Sequence, residues 1–526
     1  MLTPLRLDRV EGSKRARVCL IRPPSVVARF GLTLNATPPI SLAYLAGSLA
    51  AAGHEAQLID AVGEALDRVT PGFRDDVLVN GLGVADIVAR VDPRTELIGI
   101  SCLFSHEWPV IRELVAALAT RFPGVPVVCG GEHATAAPEF SLETAPALAA
   151  CALGEGEETV VDLADAVAAG RSLATVAGLV VRGEGGAPVR TSPRARIRAV
   201  DAIPLPRWDL TPIDRYLDRG YSFGVDRGRT MPILATRGCP YRCTFCSSPQ
   251  MWTTRYVTRE PRLVVEEIEG YAARFGVQNI DFYDLTAIVK RPWIVEFCRL
   301  MIERRVPVTW QLPSGTRSEA IDAEVCGLLH ASGCRNVSYA PESGSERVLK
   351  AIQKKVKLER MLDSMRAATS SGINVKANIL IGFPDERAAD LVDTARFLVE
   401  MARAGVHDVS VWTFAPYPGS ALFDALREKG TIPEMTDDYF ADLLSYSNLL
   451  AAVSYCEHIP AEQLERFRVA GLALFYATSY ALHPTRPFRS LVNMARRRYE
   501  SRLEMSLSNL LRKLARESME RVGMGS

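Results

Sequence analysis

Hydrophobic and polar positions form two successive series along the chain. In residues 17–200, short continuous apolar runs are separated by stretches whose apolar residues recur with helical spacing. Such runs are typical of strands covered on both faces, and their alternation with helices favours a parallel sheet. The predicted strands read RVCLI, EAQLID, LIGIS, PVVCGG and ACAL. We therefore predict an α/β domain over residues 1–200 with its ligand crevice at the carboxyl ends of the strands.

The second series follows residues 201–230, a segment rich in proline and aspartate that we predict to be an ordered linker. Residues 231–425 contain six predicted strands: TMPILAT, NIDFYD, VTWQL, NVSYA, NVKANILI and VSVWTFA. The helices between them are predicted near 259–274, 292–304, 319–331, 359–371 and 388–404. Six βα units are too few for a closed eight-unit barrel, so we predict a partial one.

Residues 426–526 are predicted to be helical. The helical spacing near the end is carried by Leu503, Leu507, Leu510, Leu511 and Leu514. Basic residues decorate the same segment: Arg496, Arg497, Arg498, Arg502, Arg512, Lys513 and Arg516. This pattern predicts an amphipathic helix packed on the body, and contact with a membrane surface or a lipid-like substrate stays open.

Composition narrows the class of protein. Hydrophobic residues make up 48% and charged residues 23% of the chain, and the net charge is +1, which gives no indication of a nucleic-acid partner. The N-terminal stretch is polar and basic, without the apolar core of a signal peptide. No uncharged apolar run is long enough to span a membrane, so we predict a cytoplasmic protein.

Three of the eleven cysteines stand in the ten residues RGCPYRCTFC: Cys239, Cys243 and Cys246. The other eight are scattered singly, which is typical of buried, reduced cysteine. Structural zinc sites use four ligands, and no second pair follows here; a disulfide needs an oxidising compartment. Three thiolates on a short loop instead suit a [4Fe–4S] cluster in which one iron has no protein ligand and is open to a small molecule.

The CxxxCxxC spacing after the first strand of a βα barrel resembles the signature of the radical S-adenosylmethionine (SAM) enzymes, and Phe245 before the last cysteine fits the pattern. The resemblance implies that Cys239, Cys243 and Cys246 hold the cluster and that SAM chelates the open iron. It also implies that an electron from an external donor, such as flavodoxin or ferredoxin, cleaves SAM to methionine and a 5′-deoxyadenosyl radical.

Later strand ends resemble the SAM-binding stretches of the same family. They read DFYDLT, APESGSERVL, NILIGFPDE and TFAPYPGSAL. Besides Phe245, the resemblance implies SAM contacts for Tyr283 and Asp284 (amino group), Glu342 and Ser343 (ribose or carboxylate), and Gly382 and Phe383 (adenine). Leu285 departs from the pattern, because many relatives have a second aspartate there, and the substrate side of this strand end is left undefined.

The first series resembles the Rossmann-like cobalamin-binding domain of one radical SAM subclass. The matching stretches are TPPISLAYLAGSLAAAGHEAQLID, ELIGIS, VVCGGEHATAAPE and LGEGEETV. Small residues there allow the backbone to approach the corrin and its nucleotide tail, and Leu103 and Phe104 could press on the lower face of cobalt. The resemblance implies these cobalamin-binding residues: Pro38, Leu103, Phe104, Gly130, Gly131, His133, Ala134, Gly154, Glu155 and Gly156.

No Asp-x-His-x-x-Gly pattern supplies a histidine for cobalt. We therefore predict base-off cobalamin without a His ligand, and we predict that His133 bonds local backbone or the nucleotide tail. A flavodoxin-like domain that has lost its cofactor stays an alternative. A nicotinamide site is disfavoured because no GxGxxG opens the first helix.

Together these cofactors predict C-methylation of an unactivated carbon in a small-molecule biosynthetic intermediate. The alternative is ring formation or another radical rearrangement, as in the anaerobic porphyrin-ring cyclase, whose tail the stretch ALFYATSYALHPTRPFRS resembles. A cluster- or corrinoid-bearing binding protein is disfavoured by the SAM-type strand ends. A methylthiotransferase is disfavoured because the N-terminal cysteines stand singly. No motif names the substrate.

Overall fold

The computed structural model describes residues 14–31, 36–432, 434–448, 451–509 and 511. The first thirteen residues, which carry most of the expectation about a signal peptide, lie outside this range. Ten strands form in the N-terminal part: β1 (Arg17–Arg22), β2 (Ser25–Ala28), β3 (Glu55–Asp60), β4 (Val69–Pro71), β5 (Val77–Asn80), β6 (Leu97–Ser101), β7 (Val127–Gly130), β8 (Ala150–Ala152), β9 (Leu179–Arg182) and β10 (Pro188–Arg190). The helices here are α1 (Ile40–Ala51), α2 (Val84–Arg90), α3 (Trp108–Arg121), α4 (Glu132–Ala136), α5 (Pro138–Thr144) and α6 (Glu157–Ala168).

The main N-terminal sheet confirms the predicted parallel arrangement. Its strand order is β10-β9-β8-β7-β6-β1-β3, and β3, β1, β6, β7 and β8 run parallel. The chain order reverses between β1 and β6, so the loops after these two strands diverge and leave a crevice at the carboxyl edge. Leu103 and Phe104 are the second and third residues after β6 and therefore stand at this switch point.

Two antiparallel additions were not predicted. β9 and β10 extend the main sheet as antiparallel strands, and β2, β5 and β4 form a separate three-stranded sheet. The residues of β4 are all exposed, and the strand includes a proline. β2 and β9 are buried but only four residues long, and β4 and β10 have no buried run, so none of the four carries much of the periodicity that sequence reasoning depends on.

The second part follows the short helix α7 (Ile213–Arg219) within the predicted linker. Its strands are β11 (Thr230–Ile233), β12 (Thr236–Arg237), β13 (Val257–Thr258), β14 (Asn279–Phe282), β15 (Thr309–Thr316), β16 (Cys334–Glu342), β17 (Asn374–Ile381) and β18 (Asp408–Thr413). Its helices are α8 (Ser248–Trp252), α9 (Pro261–Phe275), α10 (Arg291–Glu303), α11 (Ala323–Ala331), α12 (Glu346–Ala351), α13 (Leu358–Ser370) and α14 (Ala388–Arg403).

The six predicted long strands form one parallel sheet in chain order, β11-β14-β15-β16-β17-β18. Each strand is followed by a helix that returns the chain, which is the arrangement expected of a partial barrel. β12 and β13 pair separately and antiparallel, at the entrance and exit of the cysteine loop. The predicted domain boundaries at residues 200, 230 and 425 stay predictions.

The C-terminal part is helical, as predicted, with α15 (Ala421–Glu428), α16 (Asp437–Asp442), α17 (Ala461–Leu482) and α18 (Thr485–Arg496). α16 contacts the N-terminal part through ion pairs of Arg112 with Asp437 and of Arg74 with Asp442, both 2.8 Å. Within the described residues, no helix combines the length and apolarity that a membrane crossing requires.

The predicted packing of the last helix is wrong in its direction. Residues 502–509 are helical, but Leu507 and Leu511 are exposed, whereas the polar Glu504, Ser506 and Ser508 are buried. Glu504 accepts hydrogen bonds from Ser490 and Asn493 of α18, and Asp408 of β18 accepts from the amides of Arg502 and Leu503, so this helix packs on polar groups. Parts of the predicted stripe lie outside the described residues: Leu510, Arg512, Lys513, Leu514 and Arg516.

Candidate cofactor sites and active site

A single cavity of about 2260 Å³ joins the carboxyl edge of the N-terminal sheet to the interior of the barrel. Sites for one small ligand occupy about 300–1,000 Å³. The cavity therefore has room for more than one ligand, and its walls come from both parallel sheets, from the linker and from the C-terminal segment.

The cysteine loop leaves β12 through Gly238, which adopts a φ of 81°. A Cβ at this position would lie 2.2 Å from the carbonyl oxygen of Arg255, so only glycine fits the turn. Further along, the Thr244 amide donates to the Ile352 carbonyl at 3.0 Å, and the Leu422 amide donates to the Thr244 carbonyl at 2.9 Å. These bonds hold the loop between α12 and α15.

Two cations flank the three cysteines. The guanidinium of Arg317 lies 3.5 Å from the ring centre of Tyr241, and Lys354 lies 5.9 Å from the ring centre of Phe245. Burial raises the pKa of the Cys243 thiol, and Lys354 opposes that shift. Each cation is itself paired with a carboxylate, Arg317 with Glu319 at 2.7 Å and Lys354 with Glu342 at 2.8 Å, so the charge beside the loop is balanced.

No three His, Cys, Asp or Glu side chains in the described ranges converge on a single metal-ion position. The ligands of a [4Fe–4S] cluster bind different irons and need not converge on one point. The chemistry of the donor set, three cysteines on one loop, fits such a cluster.

Phe245 anchors the loop on an aromatic stack. Its ring centre lies 5.7 Å from that of Phe383, which in turn lies 5.3 Å from that of Phe414. Gly382, at a φ of 84°, donates its amide to Glu386, and the Phe383 amide donates to the same carboxylate oxygen at 3.2 Å. Of these residues, Phe245 and Phe414 line the cavity, whereas Gly382 and Phe383 shape the turn behind its wall.

At the end of β14, Asp284 is committed to the start of the cysteine loop. Its buried carboxylate accepts from the Ala235 amide at 3.1 Å and from the hydroxyl of Thr236 at 2.5 Å. Burial raises the pKa of Asp284 to about 6. Tyr283 and Leu285, on either side, line the cavity, and Leu285 is 39% exposed. The position where relatives carry a second aspartate therefore presents an apolar side chain to the cavity.

At the end of β16, Glu342 has a left-handed φ of 68° and pairs with Lys354 at 2.8 Å. Ser343 is fully buried, and its hydroxyl accepts from the Ser345 amide at 3.1 Å. Neither residue lines the cavity. A non-glycine residue at positive φ is strained and persists when its surroundings hold it, and here the Lys354 pair does so.

Small residues form a cradle across the carboxyl edge of the N-terminal sheet. Ser101, Gly130 and Ala152 are direct register partners on neighbouring strands and line the cavity. An arm of the cavity continues between α1 and α6, where Leu45 and Leu163 line it. Such a broad edge with a deep arm fits the corrin ring and nucleotide tail of cobalamin.

Gly131 is the most constrained position of this cradle. Its φ is 120°, and a Cβ would lie 2.6 Å from the carbonyl oxygen of Cys102. Gly154, at a φ of 70°, and Gly156 also line the cavity. All predicted cobalamin residues except the buried Ala134 line the cavity.

We expect Gly131→Ala to destabilise the fold by about 1–3 kcal/mol and to weaken cobalamin binding, because the β6 and β7 loops must separate to admit the methyl group. Urea unfolding and equilibrium dialysis with cobalamin measure the two effects. Gly124→Ala is the matched control, since Gly124 also has a positive φ of 85° but nothing lies within 4 Å of its Cβ position. Equal behaviour of the two variants would contradict the assigned role of the close contact.

Leu103 and Phe104 are 40% and 52% exposed and line the cavity, as expected for side chains that face a cofactor. His133 is buried, with Nδ1 2.9 Å from the hydroxyl of Ser105 and Nε2 3.4 Å from that of Ser141. Burial lowers the pKa of His133 to about 3. Both ring nitrogens are engaged by serines, in keeping with the prediction of cobalamin without a His ligand, which stays a prediction.

This buried histidine should make the fold sensitive to acid. The pKa of His133 is lower in the folded protein than its unfolded value of about 6.5. This residue therefore does not reduce the free energy of unfolding above that pH, but it lowers the free energy of unfolding progressively as the pH falls from 6.5 toward 3. Between pH 7 and pH 5, wild type should lose about 2 kcal/mol relative to His133→Asn. Urea unfolding of both proteins at the two pH values checks this, and a constant difference would contradict it.

A buried ion network joins the loop after β8 to the strand before the cysteines. The Glu155 carboxylate lies 3.2 Å from Arg237 and 2.9 Å from Arg196, and Glu157 also pairs with Arg237. The Glu155 carboxylate further accepts from the Ile197 amide at 2.8 Å. Glu155 lines the cavity, but its carboxylate is bound to these partners. It therefore links the loop after β8 directly to β12, the strand before the cysteines. We call Glu155, Glu157, Arg196 and Arg237 the interdomain ion network.

A second contact between the same two regions lies beyond the last cysteine. The Ser247 hydroxyl donates to Glu132, and the Thr135 hydroxyl lies 3.2 Å from the sulfur of Met251. Helices α4 and α8 therefore pack against each other, and residues at this contact line the cavity. Sequence reasoning missed Glu132, Arg237 and Ser247, because no local pattern signals a partner about a hundred residues away.

Comparison with known protein families agrees with this arrangement. Residues 233–398 match the radical SAM superfamily, and residues 30–164 match the B12 binding domain. The first match contains the cysteine loop and the strand ends through Phe383. The second contains the glycine cradle and His133.

Curated relatives align with both parts together. An uncharacterized methyltransferase of Pyrococcus horikoshii is 30% identical over 78% of this chain and 83% of its own length. The cytidylyl-2-hydroxyethylphosphonate methyltransferase of Streptomyces wedmorensis is 27% identical over 82% of this chain and 85% of its own. The anaerobic magnesium-protoporphyrin IX monomethyl ester cyclase of Rubrivivax gelatinosus is 27% identical over 74% and 67%.

A solved structure shares the fold. The radical S-adenosylmethionine methyltransferase TsrM of Kitasatospora setae, with cobalamin and a [4Fe–4S] cluster bound, superposes with a TM-score of 0.62. The sequences are 20% identical, and the match covers 80% of this chain and 79% of that one.

Proposed function

The chain belongs to the cobalamin-dependent radical SAM enzymes, and from this we propose that it C-methylates an unactivated carbon of a small-molecule biosynthetic intermediate. The observation that carries the proposal is the single cavity, into which both the glycine cradle and the cysteine-loop residue Phe245 open. A substrate in this cavity would lie beside the proposed cobalamin residues and beside Phe245 of the cysteine loop. When bound, the cluster and SAM supply hydrogen-abstracting radical chemistry, and cobalamin supplies the methyl group.

Different residues of the chain would hold the cluster, fix the cysteine loop and contact SAM. Cys239, Cys243 and Cys246 would hold the cluster, beside the ion pairs of Arg317 with Glu319 and of Lys354 with Glu342. Asp284 would fix the entrance of the loop by holding the Ala235 and Thr236 amides. The proposed SAM contacts that face the cavity are Phe245 and Tyr283, whereas Glu342, Ser343, Gly382 and Phe383 would act from behind its wall.

Apolar side chains would hold the substrate and exclude water. Leu103, Phe104, Phe223 and Leu285 are all between 39% and 52% exposed and line the same cavity. A dry pocket protects a carbon radical from side reactions and lets remote contacts orient the reacting carbon. The gap between the two parallel sheets is therefore the proposed reaction site.

A second candidate is ring closure or another radical rearrangement without methyl transfer. It is favoured by the similarity to the anaerobic magnesium-protoporphyrin IX monomethyl ester cyclase, which extends over 74% of this chain. The cavity volume of about 2260 Å³ is also compatible with a large substrate.

The products separate the two candidates. Anaerobically reconstituted enzyme would be incubated with SAM labelled in the methyl group and with extracts containing candidate intermediates, followed by mass spectrometry. Methylation predicts a labelled product with matching amounts of S-adenosylhomocysteine and 5′-deoxyadenosine. Deoxyadenosine with S-adenosylhomocysteine no higher than cofactor alkylation requires would support the second candidate, and absence of both would refute the proposal.

A further inference from the structure

The cavity continues below the carboxyl ends of the barrel strands into a polar interior. Its lining there is formed by inward-facing residues of three neighbouring strands: Asn336 and Ser338 on β16, Lys376 and Asn378 on β17, and Asp408 on β18. Ser338 and Lys376 are register partners, as are Lys376 and Asp408. The three side chains therefore form a row across the sheet with the lysine in its middle.

The carboxylates near this row are bound by uncharged donors. Asp408 accepts from the amides of Arg502 and Leu503 at 2.8 and 3.1 Å and from the hydroxyl of Tyr476 at 2.6 Å. Asp281 accepts from the Gly224 amide at 2.7 Å and from the Gln311 side chain at 2.6 Å. These bonds tie the linker and the C-terminal helix to the floor of the barrel.

Two cations in the same cavity have no salt bridge with any described carboxylate. Lys376 has no hydrogen bond among the described residues, and Arg502 directs one nitrogen to the Gly224 carbonyl at 2.8 Å. Burial lowers the pKa of Lys376 to about 8, with Asp408 and Arg502 acting in opposite directions, so the ammonium stays largely charged at pH 7.

Two uncharged groups beside the lysine also lack partners. The Oδ1 atom of Asn378 is buried without a hydrogen bond, and Ser338 forms none with its side chain among the residues described. Buried charges and polar groups are costly unless they are paired. The Lys376 ammonium, the Arg502 guanidinium, the Ser338 hydroxyl and the Nδ2 group of Asn378 can all donate to an acceptor from outside the chain, whereas Asp408, the lysine's other neighbour in the row, already accepts three hydrogen bonds.

We propose that Lys376, Arg502, Ser338 and Asn378 form a subsite for an anionic oxygen group of the substrate, a carboxylate or a phosphoryl group. An ammonium, a guanidinium, a hydroxyl and an amide are all donors to such a group, and charge-assisted bonds are the strong ones. This inference rests on the proposed function for the identity of the occupant as substrate, and it adds the chemical class.

The depth of the subsite restricts the shape of the substrate. Lys376 precedes Ile381, the last residue of β17, by five positions, which places it about 16 Å below the strand end. The apolar side chains Phe104, Phe223 and Leu285 lie around the upper part of the cavity. The substrate should therefore be an elongated acid whose anion enters first and whose apolar, reacting part stays between the two sheets.

Anion binding tests the subsite without catalysis. Anaerobic holoenzyme would be titrated by calorimetry with inorganic phosphate and, separately, with acetate, with chloride keeping the ionic strength constant. We expect saturable binding at one site per chain and a loss of affinity of about tenfold or more in Lys376→Met. Lys350→Met is the matched control, because Lys350 is exposed on α12. The anion affinity of this variant should equal that of wild type. Tighter phosphate binding assigns a phosphoryl group, and tighter acetate binding assigns a carboxylate.

Absence of saturation by either anion, or equal affinity in wild type and Lys376→Met, overturns the subsite. If Lys376→Met does not fold, judged by its cobalamin spectrum and near-UV circular dichroism, Asn378→Ala and Ser338→Ala take its place, and both should weaken anion binding. Failure of the proposed function looks different, since it would appear as absent SAM cleavage in wild type. Anion binding without SAM cleavage would keep the subsite and refute the function.

Discussion

Replacing Cys239, Cys243 or Cys246 by alanine is expected to abolish cluster assembly and with it the release of 5′-deoxyadenosine from SAM. Each of these thiols is the proposed ligand of a different iron, and two thiolates on this loop cannot hold the cluster against loss to solvent. Iron and sulfide content, the visible absorption of the cluster and deoxyadenosine formation measure the effect after anaerobic reconstitution.

Cys326→Ala is the matched control. Cys326 is fully buried in α11, packs in the barrel core and lies far in sequence from the loop. This variant should keep its iron and its SAM cleavage while losing a little stability to the small cavity. A triple variant of the loop cysteines that still cleaved SAM would show that the radical chemistry has another source.

Arg237→Met is expected to destabilise the folded protein by about 3–5 kcal/mol. The substitution keeps much of the side-chain volume but leaves Glu155 and Glu157 buried without their shared partner, and an uncompensated buried charge is costly. Because Arg237 immediately precedes the cysteine loop, cluster occupancy should fall as well. Urea unfolding with cobalamin bound and iron analysis of the same samples measure both effects.

The exposed pair of Arg262 and Glu266 provides the comparison. It spans one turn of α9 with an N–O distance of 2.7 Å, and its loss in Arg262→Met should leave the free energy of unfolding nearly unchanged, because solvent screens exposed pairs. Adding Glu157→Gln to Arg237→Met should recover part of the loss, because Glu155 keeps its pair with Arg196 and no carboxylate of the network then stays without a partner. Equal stability of the two single variants would refute the importance of the interdomain ion network.

The parallel strands were predictable because burial on both faces leaves a continuous apolar run. RVCLI and LIGIS each become a strand of the N-terminal parallel sheet, whereas NVKANILI becomes β17 with alternating burial, because Lys376 and Asn378 face the cavity. The chemistry of the cysteine loop was predictable for a similar reason, since ligand spacing is local. β4 and β10, with exposed residues and no such run, gave no signal of comparable strength.

Contacts between distant polar residues were not predictable. Glu155 was expected at cobalamin, yet its carboxylate is taken by Arg196, Arg237 and the Ile197 amide. The leucine stripe near the end of the chain predicted an apolar interface, but the barrel offers Asp408 and other polar groups there, so the polar side of the helix turns inward. Periodicity reports which side of a helix differs from the other, but the neighbouring surface decides which side is buried.

The floor of the barrel has a consequence for how the protein is made. Arg502 and Leu503 bind Asp408, although more than ninety residues separate them in the chain. The ribosome produces the N-terminal sheet and all six barrel strands before it produces this segment, and domains tend to fold in the order of synthesis. The nascent barrel is thus open at its base while the cobalamin half is already able to fold. Closure of the base must wait for this segment, so a chain interrupted before residue 499 would leave the interior lysine facing water.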